Sequence, residues 1–289
     1  MSIVTVRHKT VYRYARPVRF GTHRLMVRPR DSHDLRLIDT ALLIQPAASV
    51  RWHHDVFGNS IAVATFAEAA AELVVDSTIQ VEQFPVAEQE LVLDLYAQRY
   101  PFSYSTEEIP DLARYIERCF ADPWHKIDTW ARWFVDGDRS RATLDILTAM
   151  TRSIPYQFTY ARRDEMGTKT PVETLESSSG NCRDFALFMM EAARSLGLAA
   201  RFVSGYLSSE SARFVGGGET HAWVQVYLPG AGWVEFDPTN ALVGGNDLIR
   251  VAVTRDPSQA IPLSGTFIGA PGDFLGMSVE VRIGLERAA

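Results

Sequence analysis

Only two of the 289 residues are cysteine, Cys119 and Cys182. So few thiols exclude a disulfide-stapled secreted scaffold. Basic residues are outnumbered, 29 Lys and Arg against 35 Asp and Glu, for a formal net charge of −6. That balance argues against nucleic acid or an anionic membrane as the main partner, while leaving room for a local basic patch. Long apolar runs are missing too. The opening MSIVTVRHKTVYRYARP has no continuous apolar stretch of the kind a signal peptide carries, and no later run reaches the length of a membrane span. The expected setting is therefore reducing and cytoplasmic, with export by another route left open. The seven histidines (8, 23, 33, 53, 54, 125 and 221) form no H-E-x-x-H or Cys/His ligand pattern, so neither metal nor cofactor is implied. Their one cluster, His53-His54-Asp55, runs into DVFGNS, whose turn chemistry between two strand-like runs reads as a hairpin. What is there is an ordinary globular composition, 46% hydrophobic and 22% charged.

Residues 1 to about 85 read as short, partly alternating, β-branched runs separated by Pro and Gly: IVTVRHKTVYRY, LRLIDTALLIQP, SIAVATF and ELVVDSTIQVEQF. A small antiparallel sandwich or sheet follows. Helical patterns come next, in IPDLARYIERCF, PWHKIDTWARWFV and RATLDILTAMTRSI, with Pro123 and Asp138 or Ser140 suited to the helix starts. Helical spacing puts Cys119 or Phe120 with Leu112 and Ile116 on an apolar face, so Cys119 reads as a core thiol. LIRVAVT and MSVEVRI return to strand character. The fold class is α+β, in two units: an N-terminal β domain at 1–88, structural or substrate-shaping, and a second domain at 89–289 with a C-terminal β-rich extension.

SSSGNCRDFALFMMEAARSLG sets Cys182 where a polar loop meets a run without Gly or Pro that is apolar on most sides. This is the pattern of a central, buried helix, with Gly197 as its left-handed cap. The helix N-terminus presents unpaired N–H groups and the positive dipole end, which favour a thiolate and can donate to a developing oxyanion. Gly180 is expected to let a substrate approach the sulfur. Asp184, in the first turn, reads as structural.

A cysteine nucleophile needs a base and a group to orient it. HAWVQVYLPGAGWVEFDP reads as a hairpin with His221, Trp223, Gln225 and Tyr227 on one face. Matching Ala222, Val224 and Val226 to Val234 and Phe236 on the other face requires Tyr227 opposite Trp233 and Trp223 opposite Asp237. In that register Asp237 is the diagonal neighbour of His221, within side-chain reach.

These segments, GNCRDFALFMMEAARSLGLAARFVSGYL and HAWVQVYLPGAGWVEFDPTN, resemble the transglutaminase-like superfamily of papain-like cysteine enzymes. The N-terminal strands with DVFGN, and RDPSQAIPLSGTFIG near the C-terminus, are similar to bacterial members with a preceding β domain. The resemblance implies a papain-like core with the nucleophile at a buried helix N-terminus packed on an antiparallel sheet. It implies Cys182 as nucleophile, His221 as base and acid, Asp237 as orienter, and acyl transfer on an amide through a thioester. Hydrolysis of a protein or peptide is the leading expectation. Amine transfer that cross-links glutamine, and a non-catalytic binding module on the same scaffold, are the alternatives. Tyr160 and Trp223 are candidates for lining the substrate cleft. The second oxyanion donor stays open among Tyr156, Phe158 and Tyr160, the last two differing in that phenylalanine has no donor. The loop from Ser208 to Glu219, with Gly216-Gly217-Gly218, is a candidate gate. Oligomeric state is left open.

Overall fold

A computed structural model of the chain describes residues 2–84, 88–135, 141–162, 167–208, 215, 219–245 and 247–287. The first six strands are β1 (Ser2–Phe20), β2 (His23–Arg28), β3 (Leu35–Gln45), β4 (Ala48–His54), β5 (Ser60–Phe66) and β6 (Ala69–Gln83). They form two antiparallel sheets, ordered β1-β6-β3 and β2-β5-β4. Strict alternation drives this arrangement. In β6, Leu73, Val75, Ser77, Ile79 and Val81 are buried while the residues alternating with them are only partly covered. Leu73 and Val75 meet Leu25, Ala62 and Ala64 of the facing sheet in a closed apolar core, which is a β-sandwich. His54 pairs with Ser60 across the expected hairpin, whose loop is folded around the Asp55 carboxylate by the N–H groups of Phe57 and Asn59.

Next come β7 (Arg99–Tyr100), α1 (Ile109–Ile116), α2 (Lys126–Arg132), β8 (Arg141–Ala142), α3 (Thr143–Gln157), β9 (Thr159–Tyr160), α4 (Pro171–Ser177), β10 (Ser179–Gly180) and α5 (Cys182–Ser195). The helices fall where periodicity places them, but their ends differ. α1 stops at Ile116, so Cys119 is not on its apolar face; it lies exposed in the following loop, where its thiol accepts from Arg194 Nη1 at 3.3 Å. Pro123 precedes α2 by three residues, and the helix starts after His125 in a left-handed conformation. α3 starts after Ala142 with no side-chain cap. The proposed caps Asp138 and Ser140 lie outside the described residues.

α5 is the central helix, buried along nearly its whole length. Two of its buried charged residues, Glu191 and Arg194, satisfy one another at 2.9 Å. Glu191 also accepts from the N–H groups of Cys119 and Phe120, and Arg194 donates to the carbonyls of Tyr115, Ala200 and Arg255. Buried charge is tolerable only with such complete pairing.

α5 packs on an antiparallel sheet of β11 (Ala200–Leu207), β12 (His221–Leu228), β13 (Gly232–Asp237), β14 (Leu242–Val243) and β15 (Leu248–Thr254), ordered β14-β13-β12-β11-β15. Ala222, Val224, Val226, Val234 and Phe236 share one core with the apolar side of α5. The opposite face is covered by the N-terminal strands. Val4, Val6, Ile79 and Val81 meet Tyr206, Ile249 and Val251, and Phe57 of the hairpin packs in the cluster around Trp223. Asn59 clasps Val253 through both backbone groups, at 2.7 and 2.9 Å.

The C-terminal strands depart from the expected division at residue 88. β16 (Leu263–Ser264) pairs with β2, while β17 (Phe267–Ile268) and β18 (Phe274–Arg287) pair with β1. The extension therefore completes the N-terminal sheets instead of flanking the helical core. β1 is a long strand with one side taken by β6, and β18 pairs with the other along most of its length.

Candidate active site

The loop before α5 fixes Cys182 as the first helical residue. Asn181 Oδ1 accepts from the N–H groups of Arg183 and Asp184, each at 3.0 Å. The Asp184 carboxylate returns a bond to Asn181 N at 3.0 Å and accepts from Lys169 N at 2.7 Å. This reciprocal cap is a capping box. It confirms Asp184 as structural and consumes two of the N–H groups expected at the oxyanion. The Cys182 N–H has no acceptor among the described residues. Gly180 lies tight against the cap: a Cβ there would lie 2.8 Å from Asp184 Cβ.

The hairpin of β12 and β13 has the register that hydrophobic matching selects, with Tyr227 opposite Trp233 and Val224 opposite Phe236. The ladder runs one pair further than expected, to Leu228 and Gly232, leaving residues 229–231 as the turn. His221 and Asp237 are thereby brought together, with Nε2 and Oδ2 2.8 Å apart. Asp237 also accepts from Thr239 N and Asn240 Nδ2, each at 2.9 Å. Both side chains are wholly buried, while Cys182 keeps 7% of its surface.

Burial opposes protonation of His221, but the charge and hydrogen bond of Asp237, followed by the Cys182 side chain, outweigh it and raise the imidazole to about 10. Burial likewise opposes ionisation of Asp237, and His221 with the bonds from Asn240 and Thr239 holds the carboxyl below its usual value. The favoured state is an imidazolium beside a carboxylate. With Nε2 committed to Asp237, the other ring nitrogen, Nδ1, is buried and makes no formed hydrogen bond. The Cys182 side chain is near enough to help raise the ring, although its approach to Nδ1 falls short of ordinary hydrogen-bond geometry, as is common in a resting nucleophile–base pair.

Of the three aromatic residues upstream, Tyr156 is 92% exposed and Phe158 is buried between Phe185 and Phe188. Tyr160 is half-buried against Phe185, and its position opposite Gly180 in the β9–β10 pair sets it next to the cysteine. Burial, then Cys182 and Glu219, push its phenol above the usual tyrosine range, so it remains an O–H donor. Arg162 and Glu219 form an ion pair at 3.4 Å that joins the segment after Tyr160 to the segment before His221.

Trp223 does not line a cleft. It is fully buried, packed with Val203, Leu207, Leu248 and Val253, and its indole N–H donates to Glu235. Strand alternation places it on the His221 face, but the N-terminal unit covers that face. The candidate gate at 216–218 lies outside the described residues, as do most of its neighbours; Val215 is held at backbone N and O by Asn240. Asn240 and Glu235 are polar residues of the site that pattern reading passed over. Asn240 follows the DPT turn at the spacing of a local cap, which was a usable signal.

Comparison with known proteins adds to this geometry. A family model described as the bacterial transglutaminase-like N-terminal region matches residues 4–82, and one described as the transglutaminase-like superfamily matches residues 129–238. The second interval contains Cys182, His221 and Asp237. An uncharacterized protein of Mycobacterium tuberculosis, Rv2569c, is 26% identical over 96% of this chain and 91% of its own length. The Mycobacterium leprae protein ML0607, also uncharacterized, is 35% identical over 38% of this chain, which matches 40% of its length. The solved structure of a Cytophaga hutchinsonii protein described as a "putative cysteine protease" superposes with a TM-score of 0.72 over 100% of this chain and 92% of that one. At 18% identity, that likeness concerns the fold.

Proposed function

We propose that this chain, which belongs to the transglutaminase-like superfamily, is a thiol enzyme that hydrolyses an amide or peptide bond through Cys182, His221 and Asp237. The observation that carries this reading is the divided imidazole: Nε2 bound to Asp237 at 2.8 Å, and Nδ1 left for the sulfur at the start of α5.

In the mechanism, Cys182 as thiolate attacks the carbonyl carbon of the substrate, paired with protonated His221. The carbonyl π electrons move onto oxygen, and the Cys182 N–H and the Tyr160 hydroxyl are the donors for that oxyanion. His221 Nδ1 gives its proton to the departing amine as the C–N bond breaks, leaving a thioester. A water then loses a proton to His221 and attacks the thioester carbon. Collapse expels the thiolate, releases the acid and restores the imidazolium. Asp237 holds the ring and stabilises its charge throughout.

Two measurements test the reading. Haloacetamide labelling should modify Cys182 ahead of Cys119 at mild pH, and His221→Ala should abolish that preference. Mass spectrometry of a peptide library, with and without a primary amine, should show cleavage or deamidation; incorporation of the amine instead would assign cross-linking. A Cys182 no faster than Cys119, with no product from any peptide, would leave only a binding scaffold.

A further inference from the structure

We propose that Glu235 is a positioning residue for His221, holding the imidazole through Trp223 and linking it through Arg250 to Asp34 of the N-terminal β unit. This rests on the thiol-enzyme reading above for its purpose, but not for its geometry.

Glu235 sits opposite Gln225 in the β12–β13 ladder, two residues before Asp237, and is only 7% exposed. Its carboxylate takes three donors: the indole N–H of Trp223, Gln225 Nε2 at 2.7 Å and Arg250 Nη1 at 2.7 Å. The Trp223 ring in turn lies nearly parallel to the His221 ring, with centroids 5.9 Å apart. The indole lies close over the neighbouring strand. A Cβ on Gly205, which pairs with His221 on β11, would lie 2.7 Å from Trp223 Cη2 and 2.1 Å from the Ile249 carbonyl. Glycine at 205 is thus what allows the indole to lie close over β11. Arg250, which pairs with Gly205 from β15, reaches across the same stripped position to Glu235. Its other nitrogen, Nη2, binds both oxygens of Asp34, at 3.1 and 3.2 Å, in the segment between β2 and β3.

Stability alone does not call for this arrangement. A buried carboxylate and guanidinium lose solvation that their attraction repays only partly, and apolar replacements are often neutral or stabilising. What the polar chain supplies is direction. An indole whose N–H is bonded cannot rotate away from the imidazole, and a base held within a fraction of an ångström is what acyl transfer needs. The β unit thereby acquires a part in the site beyond covering it.

The test uses the full chain with Cys119→Ser, so that one thiol remains. Glu235→Gln removes the charge, Trp223→Phe removes the indole N–H while keeping a ring, and Asp34→Asn cuts the chain at its partly exposed far end. The readouts are the rate of Cys182 alkylation across pH and the NMR titration of the His221 ring. For Glu235→Gln and Trp223→Phe we expect the alkylation rate near neutral pH to fall about tenfold. Asp34→Asn should have a smaller effect in the same direction, and in all three the His221 titration should move. Folded variants with unchanged rate profiles and an unchanged His221 titration would overturn the inference. If Glu235→Gln fails to fold, Asp34→Asn decides it. If His221→Ala leaves alkylation unaltered, the thiol-enzyme reading fails, and the ring titration alone judges Glu235.

Discussion

Replacing His8 tests how the N-terminal unit is joined to the sheet that carries His221. His8 projects from β1 between the two bodies, 4% exposed, with Nδ1 2.9 Å from the Tyr206 hydroxyl and Nε2 3.1 Å from Thr10 Oγ1. Tyr206 is on β11, next to Gly205. Burial pushes the imidazole down to about 4, against a smaller upward pull from Asp76. A group whose folded value lies below its unfolded one binds its proton more readily after unfolding. Its contribution is therefore complete above the unfolded value of 6.5 and is lost as pH falls through about 4. From those two values the loss works out to about 2 kcal/mol at pH 5 and about 3 kcal/mol at pH 4. Urea unfolding followed by tryptophan fluorescence at pH 7, 6 and 5 measures it, in the parent and in His8→Gln, which can keep a hydrogen bond but cannot titrate. Other groups ionise in this range, so the difference between the two proteins is the informative quantity. The parent should lose about 2 kcal/mol more than the variant between pH 7 and 5. Parallel losses would show that His8 is not held neutral at this junction.

Three further outcomes follow from the site. Asn181→Ala removes the acceptor for two N–H groups at the start of α5 and should lower stability by about 1–2 kcal/mol in urea unfolding, with slower alkylation of Cys182. Gly205→Ala forces a methyl group against the Ile249 carbonyl and Trp223; a destabilisation of about 1–3 kcal/mol by thermal melting is expected, and a neutral result would contradict the close packing described. His221, raised to about 10, contributes stability that is present below 6.5 and lost as pH rises through about 10, so its ring resonances should not titrate between pH 6 and 8; a midpoint near 6.5 would mean the Asp237 pair is not formed.

The parts of this fold that were legible in the sequence share one property: each is decided by neighbours along the chain or across one turn. Asn181, Cys182 and Asp184 form a cap within four residues. The His221–Asp237 contact follows from a hairpin whose phase is set by Val224, Val226, Val234 and Phe236, all buried. The misread parts depend on distant segments. Cys119 has helical spacing from Leu112, but the chain leaves the helix at Ile116, and beyond it the Cys119 N–H is taken by Glu191, 72 residues on. Trp223 shares a face with His221, yet alternation says only which side a residue occupies, not what arrives to cover it. Here the cover includes Phe57 of the N-terminal hairpin. β18 pairs with a strand some 270 positions earlier, and nothing in its own pattern names that partner.

The same alternation explains why β12 is shared between two bodies. Its even-numbered residues, Ala222, Val224 and Val226, belong to the core that includes α5, and its odd-numbered residues, His221, Trp223 and Gln225, face the side reached by the N-terminal unit. Cys182 arrives from the helical body; the groups that steady His221 come from the sheet and from the covering unit. A shift of the covering unit against the sheet would leave Cys182 in place, because its cap is local, but would pull on Arg250, Glu235 and Trp223. The base is therefore the member of the set exposed to strain from the β unit, and damage at that interface should register in the titration of His221 before it registers in the position of the sulfur.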